Sequence, residues 1–568
     1  MSESLVKKMS VLGRVRLSRN VLTMLVALWV MATMNLPFWA RVWQGVGGWD
    51  NDSPLFLLSL PVFVWIWLYV LLSLLAWGRL TRPVLYLVLL VSAATSYFMH
   101  SYGIVIDYTM LTNVVQTDTA EATELLSWGM LLWMLGFAAL PILLISRVQL
   151  IERPWKRELF GKLGSMAVLV VCLFALVMSC YQPYASLLRN NREVRLMLVP
   201  SNVVGAIQGY LKREFSAPDK LEIVGADAHR VTPVALGAKP KPKVMVVVVG
   251  ETARAVNFGL DGYERNTSPE LAKRNVINFK NARSCGTATA VSVPCMFQDV
   301  GREGYKSSMA QNREGLLDIL QRAGVGVLWR DNNSGCKGVC DRVPTEDVSH
   351  LDVSTLCTKE ECRDEALLYK LSEYLDKLDR DTVVVLHMKG SHGPAYYKRY
   401  PAAFEKFTPV CDQVQLDRCE RETIVNAYDN SMLYTDYVLA STIDLLKEKS
   451  ATLDTAMFYM SDHGESLGES GMYLHGVPYA IAPSEQTHIP MVMWLSDGVQ
   501  SSNGITAQCM QQQSTAEVSQ DNLFHSVLGF MGVQTSVYKP SLDLFSACQA
   551  QKVVQSQNQS AQAVQATY

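Results

Sequence analysis

The sequence predicts a helical membrane domain of five spans followed by an α/β sandwich with a mostly parallel central sheet, and three observations carry that expectation. Five long apolar stretches crowd the chain ahead of Cys180, strand-like and helix-like runs alternate after Lys243, and two polar stretches each follow directly on an apolar run. Those stretches are Glu251-Thr252, after Val244 to Val249, and Ser461-Asp462-His463-Gly464-Glu465, after Ala456 to Met460. At 568 residues the chain is too long for one core, and with 49% hydrophobic residues it is apolar enough to include a membrane portion.

The spans are expected at Val21 to Ala40, Leu55 to Gly78, Val84 to Ile104, Trp128 to Ile145 and Gly164 to Cys180, each close to the roughly 20 residues that cross a bilayer. The first has too long an apolar run for a signal peptide and is expected to stay. Lys7, Lys8, Arg14, Arg16, Arg19, Arg79, Arg82, Arg147, Arg153, Lys156, Arg157 and Lys162 fall in the segments on one side, against Arg41 alone in the two opposite loops. The positive-inside rule then places the N-terminus in the cytoplasm and everything after the fifth span outside.

Ten of the 12 cysteines follow the fifth span, as expected for a disulfide framework in an oxidising compartment. Spacing pairs Cys285 with Cys295, Cys336 with Cys340, Cys357 with Cys362 and Cys411 with Cys419, and elimination leaves Cys509 with Cys548. A structural zinc site is the rival reading of the close pairs. The net charge of -2 gives no indication of a nucleic-acid partner.

These readings divide the chain into a five-helix membrane domain over 1–183, bridging amphipathic helices and a linker over 184–237, an exported catalytic domain over 238–550 and a disordered tail over 551–568. Within the exported domain, Val325 to Trp329, Thr382 to Met388, Thr455 to Met460 and Ile489 to Leu495 read as strands. Glu314 to Ala323, Asp364 to Leu378 and Ala427 to Lys447 read as helices, and the alternation argues a largely parallel sheet.

Such a sheet gathers strand-end residues at one rim, so Glu251, Asp462 and His463 are candidate ligands of one divalent metal. Hard oxygens beside an imidazole suit zinc. A threonine hydroxyl needs a base or a metal to act as a nucleophile, and Thr289 stands where a helix can begin, on a segment that a Cys285–Cys295 bridge would brace. Thr287, Thr289 and Ser292 could equally be caps and turn formers. Lys337, His392 and His475 are candidates for handling a phosphate, whereas His387, inside an apolar strand, reads as a hydrogen-bonded core histidine. The pattern points to a metal-dependent covalent transferase.

Four stretches also resemble the lipid A phosphoethanolamine transferases, a family that includes the mobile colistin-resistance enzymes. They are Val248 to Arg254, then Asn257-Phe258 with Gly262-Tyr263 and Arg265-Asn266-Thr267, then Ser284 to Phe297, and Tyr459 to Glu469. The resemblance implies a fold of the alkaline phosphatase and sulfatase type and transfer of phosphoethanolamine from phosphatidylethanolamine to a lipid A phosphate in the bacterial inner membrane, giving polymyxin and colistin resistance. It implies Zn2+ on Glu251, Thr289, Asp462 and His463, with Thr289 also the nucleophile, and phosphate or a second zinc on Lys337, His392 and His475. Asn113, Thr117 and Glu121 would lie near the donor head group. Membrane lipids are the expected surroundings, and a monomer is expected.

Two further enzyme readings are an acceptor such as a core heptose or another glycan, and a phosphoglycerol transferase of the lipoteichoic acid synthase type. The Cys285 to Cys295 motif favours the lipid A enzyme. A sulfatase is disfavoured because no C-x-P-S-R-like stretch occurs, and a transporter is disfavoured because the spans hold almost no ionisable residues.

Overall fold

The computed structural model describes residues 15–46, 54–117, 119–190, 194–214, 220–230, 241–358, 361–503 and 505–548, so the expected tail over 551–568 lies outside the described residues. The chain divides into two compact units, one drawn from Met1–Tyr108 and Leu126–Gly209 and the other from Thr109–Leu125 and Tyr210–Tyr568. The segment between the third and fourth spans thus clusters with the second unit.

Among the described residues of the first unit, four helices are long and apolar enough to cross a membrane: Pro54–Leu75, Gly78–Tyr102, Trp128–Arg147 and Trp155–Ser179. The expected first span is instead a bent pair, Arg19–Thr33 followed by Leu36–Gly45, with an angle of 62° between its halves. Pro37 has no amide to continue the helix, and Asn35 satisfies the backbone at the break. Its Nδ2 donates to the carbonyls of Val30 and Val199 at 3.0 and 3.1 Å, and its Oδ1 accepts the Val199 amide at 2.8 Å. The last span begins at Trp155 rather than Gly164, because Lys156, Arg157 and Lys162 are good helix formers. Helices Tyr181–Asn190, Val194–Met197 and Ser201–Glu214 follow, with a break at Pro200.

The second unit is built on strands β1 (Lys243–Gly250), β2 (Ile277–Asn278), β3 (Gly326–Asp331), β4 (Thr345–Asp347), β5 (Thr382–His387), β6 (Asp454–Ser461) and β7 (Met491–Leu495). They form one sheet in the order β2-β7-β6-β1-β5-β3-β4. Strands β6, β1, β5, β3 and β4 run parallel, while at one edge β7 pairs antiparallel with β6 and β2 antiparallel with β7.

The apolar strands are buried on both faces because helices cover both. Val244, Val246 and Val248 share a core with Leu386, Met457 and helix α3 (Arg421–Glu448). Met245, Val247 and Val249 share the opposite core with Val383 and Phe458 and with helices α1 (Thr289–Met296), α2 (Leu316–Arg322) and α4 (Asp521–Met531).

Two expected elements differ. The helix expected over Asp364 to Leu378 is a 3-10 turn, Asp364–Leu368, and a short helix, Leu371–Leu375. Lys370 takes a left-handed φ of 57° between them, and Asp364 spends its carboxylate on the amides of Lys389 and Gly390, both at 2.8 Å. The strand expected over Ile489 to Leu495 is interrupted at Pro490, which has no amide to give to a ladder. His488–Ile489 pairs in a separate three-stranded sheet.

Helix α3 also gathers the polar motif after β1. Its buried Asp429 accepts from Asn257 Nδ2 at 2.6 Å, Tyr263 Oη at 2.9 Å and an Arg265 guanidinium nitrogen at 3.1 Å. Five disulfides join Cys285 to Cys295, Cys336 to Cys340, Cys357 to Cys362, Cys411 to Cys419 and Cys509 to Cys548.

The bridges span unequal loops, with separations of 39 residues for Cys509–Cys548 and 4 for Cys336–Cys340. Loop-closure entropy then assigns about 4 kcal/mol to the first and about 2 kcal/mol to the second. Cys509→Ser with Cys548→Ser is expected to lower the denaturation midpoint of the full chain more than Cys336→Ser with Cys340→Ser. Equal midpoints in urea titrations would refute the ranking.

Candidate active site

Parallel register puts the C-terminal ends of four strands side by side. Ser461 of β6 pairs with Gly250 of β1, Val249 of β1 with His387 of β5, and His387 with Asp331 of β3. The residues just beyond these ends therefore meet, although they lie as far apart in sequence as Glu251 and Asp462.

Four of the expected residues form one buried cluster. Thr289 Oγ1 lies 3.1 and 3.3 Å from the two Glu251 carboxylate oxygens and 3.3 Å from His463 Nε2. His463 Nε2 is 3.2 Å from Asp462 Oδ2 and 3.5 Å from Glu251 Oε1. The His463 Nδ1 proton points at the Gly464 carbonyl, 2.9 Å away, which turns the Nε2 lone pair toward the acids and the hydroxyl. Burial pushes the His463 imidazole down to about 4, with the Asp462 carboxylate opposing and His475 reinforcing the shift, so the ring is neutral near pH 7.

The donor set fits a divalent cation. Glu251, Asp462 and His463 each offer an atom within 4.8 Å of the others. Asp462 Oδ1 takes the amides of Thr252 and His463 at 3.1 and 2.7 Å, whereas Oδ2 is buried and accepts no hydrogen bond among the described residues. Two buried carboxylates facing an imidazole lone pair are stable together when a positive charge lies between them. Oxygen donors with one imidazole are the chemistry of zinc and similar ions.

Local backbone conformation aims these groups. Thr252 holds a left-handed φ of 53°, rare for a β-branched residue, and such a conformation costs about 1 to 3 kcal/mol. Tyr428 Oη clamps it, donating to the Thr252 carbonyl at 2.7 Å and accepting the Arg254 amide at 3.0 Å. Gly390, with φ of 52°, passes so close to Glu251 that a Cβ there would stand 2.6 Å from the Glu251 carbonyl oxygen. Thr289 is the first residue of α1, where helix amides favour an anion.

Residues absent from the sequence-based expectations complete the site. Asn333, just past the end of β3, donates from Nδ2 to Glu251 Oε2 at 2.8 Å and to the Met388 carbonyl at 2.9 Å. Its loop is fixed by Asp331, which accepts from Trp329 Nε1 at 2.7 Å, the Asn333 amide at 2.9 Å and His387 Nδ1 at 3.0 Å. Burial alone would raise the Asp331 carboxyl, but His387 and these donors hold it at about 2. His387 is thus the hydrogen-bonded core histidine expected.

Gln520 ties the threonine loop to β6: its Oε1 accepts the Cys285 amide and its Nε2 donates to the carbonyls of Ser461 and Asp462, all at 2.7 Å. Asn333 stands two residues beyond a strand end, a signal that sequence could have supplied. Gln520 has no such local mark.

The expected phosphate-handling residues flank the cluster. His475 lies with its ring centroid 4.3 Å from that of His463 and 5.6 Å from that of His392. Its Nδ1 meets Glu465 Oε2 at 2.8 Å, and Tyr396 Oη donates to Glu465 Oε1 at 2.6 Å. Glu465 closes the Asp462 tetrad and makes a second potential metal group with His463 and His475. Lys337, with φ of 53°, places its ammonium on Ser334 Oγ at 2.9 Å, the Ser334 carbonyl at 2.8 Å and the Gln116 carbonyl at 3.4 Å.

Gln116 belongs to the segment between the third and fourth spans, which packs into this unit at further points. A Cβ on Gly476 would lie 2.5 Å from Met110 Cε, and Glu124 Oε2 meets an Arg399 guanidinium nitrogen at 2.5 Å. Arg399 is buried, also pairs with Glu361, and donates from Nε to the His392 carbonyl at 2.9 Å. Of the three residues expected near a head group, Thr117 bonds the Asn113 carbonyl at 2.8 Å, and the Glu121 side chain lies outside the described residues.

Known proteins share this architecture. A family model described as Sulfatase matches residues 243–533, and one described as Phosphoethanolamine transferase EptA/EptB matches residues 64–215. Phosphoethanolamine transferase EptA of Escherichia coli K12 is 44% identical over 94% of this chain and 98% of its own length. Phosphatidylethanolamine transferase Mcr-1 of Escherichia coli is 40% identical over 85% of this chain and 91% of its own. The solved structure of the integral membrane protein lipooligosaccharide phosphoethanolamine transferase A (EptA) from Neisseria meningitidis superposes with a TM-score of 0.90 at 40% identity, covering 94% of this chain and 99% of that one. By sequence and by fold, the chain belongs to the EptA phosphoethanolamine transferases of the sulfatase and alkaline phosphatase superfamily.

Proposed function

We propose that this protein is a zinc-dependent inner-membrane enzyme that moves phosphoethanolamine from phosphatidylethanolamine to a lipid A phosphate through a covalent intermediate on Thr289. The observation that carries the reading is the buried Thr289 hydroxyl within 3.3 Å of both Glu251 and His463. The names of relatives support the substrates. Mcr-1 is a phosphatidylethanolamine transferase, the Neisseria protein acts on lipooligosaccharide, and a more distant Escherichia coli relative, 28% identical, is a Kdo(2)-lipid A phosphoethanolamine 7''-transferase. Adding an ethanolamine ammonium offsets phosphate charge on lipid A, which weakens attraction of cationic polymyxins.

Glu251, Asp462, His463 and Thr289 would hold the zinc, which when bound lowers the pKa of the threonine hydroxyl and offsets phosphate charge. Thr289 Oγ1 gives its proton to Glu251, 3.1 Å away, and attacks the donor phosphorus; the new Oγ1–P bond forms and the bond from phosphorus to the diacylglycerol oxygen breaks. His475, whose Nδ1 is engaged by Glu465, supplies a proton to the departing oxygen from its other ring nitrogen; that contact and the neighbouring His392 ring support the role. Lys337 contributes positive charge for the phosphoryl oxygens. A phosphate oxygen of the acceptor then attacks the same phosphorus, the Oγ1–P bond breaks, and Thr289 regains its hydroxyl by taking the proton back from Glu251. Both lipids and the enzyme share one membrane, with the N-terminus cytoplasmic and the second unit periplasmic, which confines the reactants to a surface.

Thr289→Ala is expected to lower transfer more than about a thousandfold while the chain still folds, read as loss of the phosphoethanolamine mass increment on lipid A from expressing cells. An increment retained in that variant rejects the nucleophile. Asp462→Asn, which removes a charge from the donor set with little change of shape, is expected to lower bound zinc from one per chain to below about one tenth by elemental analysis. Undiminished zinc in that variant removes Asp462 from the ligands.

A further inference from the structure

A second charged site lies in the membrane unit. Arg16, Arg19, Arg79, Arg82 and Arg147 line one cavity of about 750 Å³ together with Glu152. The five arginines come from three separate segments, before the first span, between the second and third, and after the fourth. A topology signal requires basic residues on one side of the membrane but not their convergence, and Arg153, Lys156 and Arg157 on the same side stay out of the lining.

The convergence is built into the backbone. Arg16–Leu17 pairs in parallel with Gln149–Leu150, which fastens the stretch before the first span to the one after the fourth. Arg19 is fixed by Glu158 at 2.6 Å, and Arg82 donates to the Val148 carbonyl. Arg79 and Arg147 are exposed and carry no hydrogen bond or ion pair among the described residues. The Nε atoms of Arg19 and Arg82 are buried without a partner among those residues. Glu152 and Glu158 leave three guanidinium charges unbalanced.

Every cation in the lining is an arginine, whose planar fork matches phosphate oxygens two at a time where a lysine would offer a point charge. Val148, Leu150 and Ile151 supply apolar wall beside them, at the ends of the spans. We propose that this cavity binds the phosphodiester head group of an anionic phospholipid in the leaflet on the side of Arg16 and Arg147. A free phosphate shares the recognition chemistry but has no use for the apolar wall. Zwitterionic phosphatidylethanolamine is excluded because its ammonium would join the five guanidinium groups. The site is separate from the Thr289 centre and does not depend on its reaction.

Native mass spectrometry of the full chain in detergent tests this with phosphatidylglycerol, phosphatidylethanolamine and inorganic phosphate as probes. Phosphatidylglycerol is expected to be retained, and Arg79→Gln with Arg147→Gln to weaken it about thirtyfold, each surface arginine contributing roughly a factor of five. Neither side chain makes a hydrogen bond or ion pair among the described residues, so the variant is expected to keep its thermal midpoint. Phosphatidylethanolamine held as donor at the Thr289 centre is expected to be unchanged in the double variant. Phosphatidylethanolamine retention that falls in that variant as far as phosphatidylglycerol retention does, or undiminished retention of phosphatidylglycerol in it, overturns the proposal. So does protection of the cavity by inorganic phosphate while phosphatidylglycerol fails to bind, which assigns the arginines to a soluble anion.

Discussion

Two carboxylates and an imidazole lone pair, buried together within 4.8 Å, repel one another, and the surrounding fold holds them in place. Two negative charges at such a separation in a protein interior of effective dielectric near 20 repel by roughly 3 to 4 kcal/mol. Parallel pairing of β6, β1, β5 and β3 aligns the strand ends, and the large apolar cores on both faces of the sheet fix that alignment. The centre stores electrostatic strain that a divalent cation would relieve, so the free energy of burying valines would be converted into affinity for such an ion.

Other groups hold the Thr289 hydroxyl against this centre. Gln520 joins Cys285 to the carbonyls of Ser461 and Asp462, and Asn333 engages Glu251 from the opposite side. The loop of His475 is tied in by the Gly476 amide on the Thr287 carbonyl at 2.7 Å and by Thr287 Oγ1 on the Val477 carbonyl at 2.6 Å. A hydroxyl placed in this way loses little further freedom on meeting a phosphorus atom, which is where orientation lowers a barrier. The left-handed Thr252 is the accompanying strain, held by Tyr428.

The segment between the third and fourth spans extends this network. Glu124 and Glu361 share the buried Arg399, whose Nε reaches the His392 carbonyl, and Gln116 meets Lys337. Two residues expected to handle phosphate are thereby connected to a stretch of chain that begins and ends at membrane helices. Buried ion pairs of this kind contribute geometry more than net stability.

Much of this was legible locally. Apolar runs of span length, β-branched runs followed by Glu251 and by Asp462-His463, and cysteines at short spacing are properties of neighbouring residues, so the sequence by itself determined the two-part architecture, the parallel sheet, the four short pairings and three of the residues at the centre, whereas Cys509–Cys548 followed by elimination and Thr289 was singled out by the family resemblance. The hydrogen bonding of Asn35 at the helix break and the roles of Asn333, Gln520 and Arg399 depend on partners 50 to more than 250 residues away. Tertiary structure alone decided those, and the convergence of five arginines on one cavity, because no short-range pattern records which distant backbone groups a folded chain leaves to be satisfied.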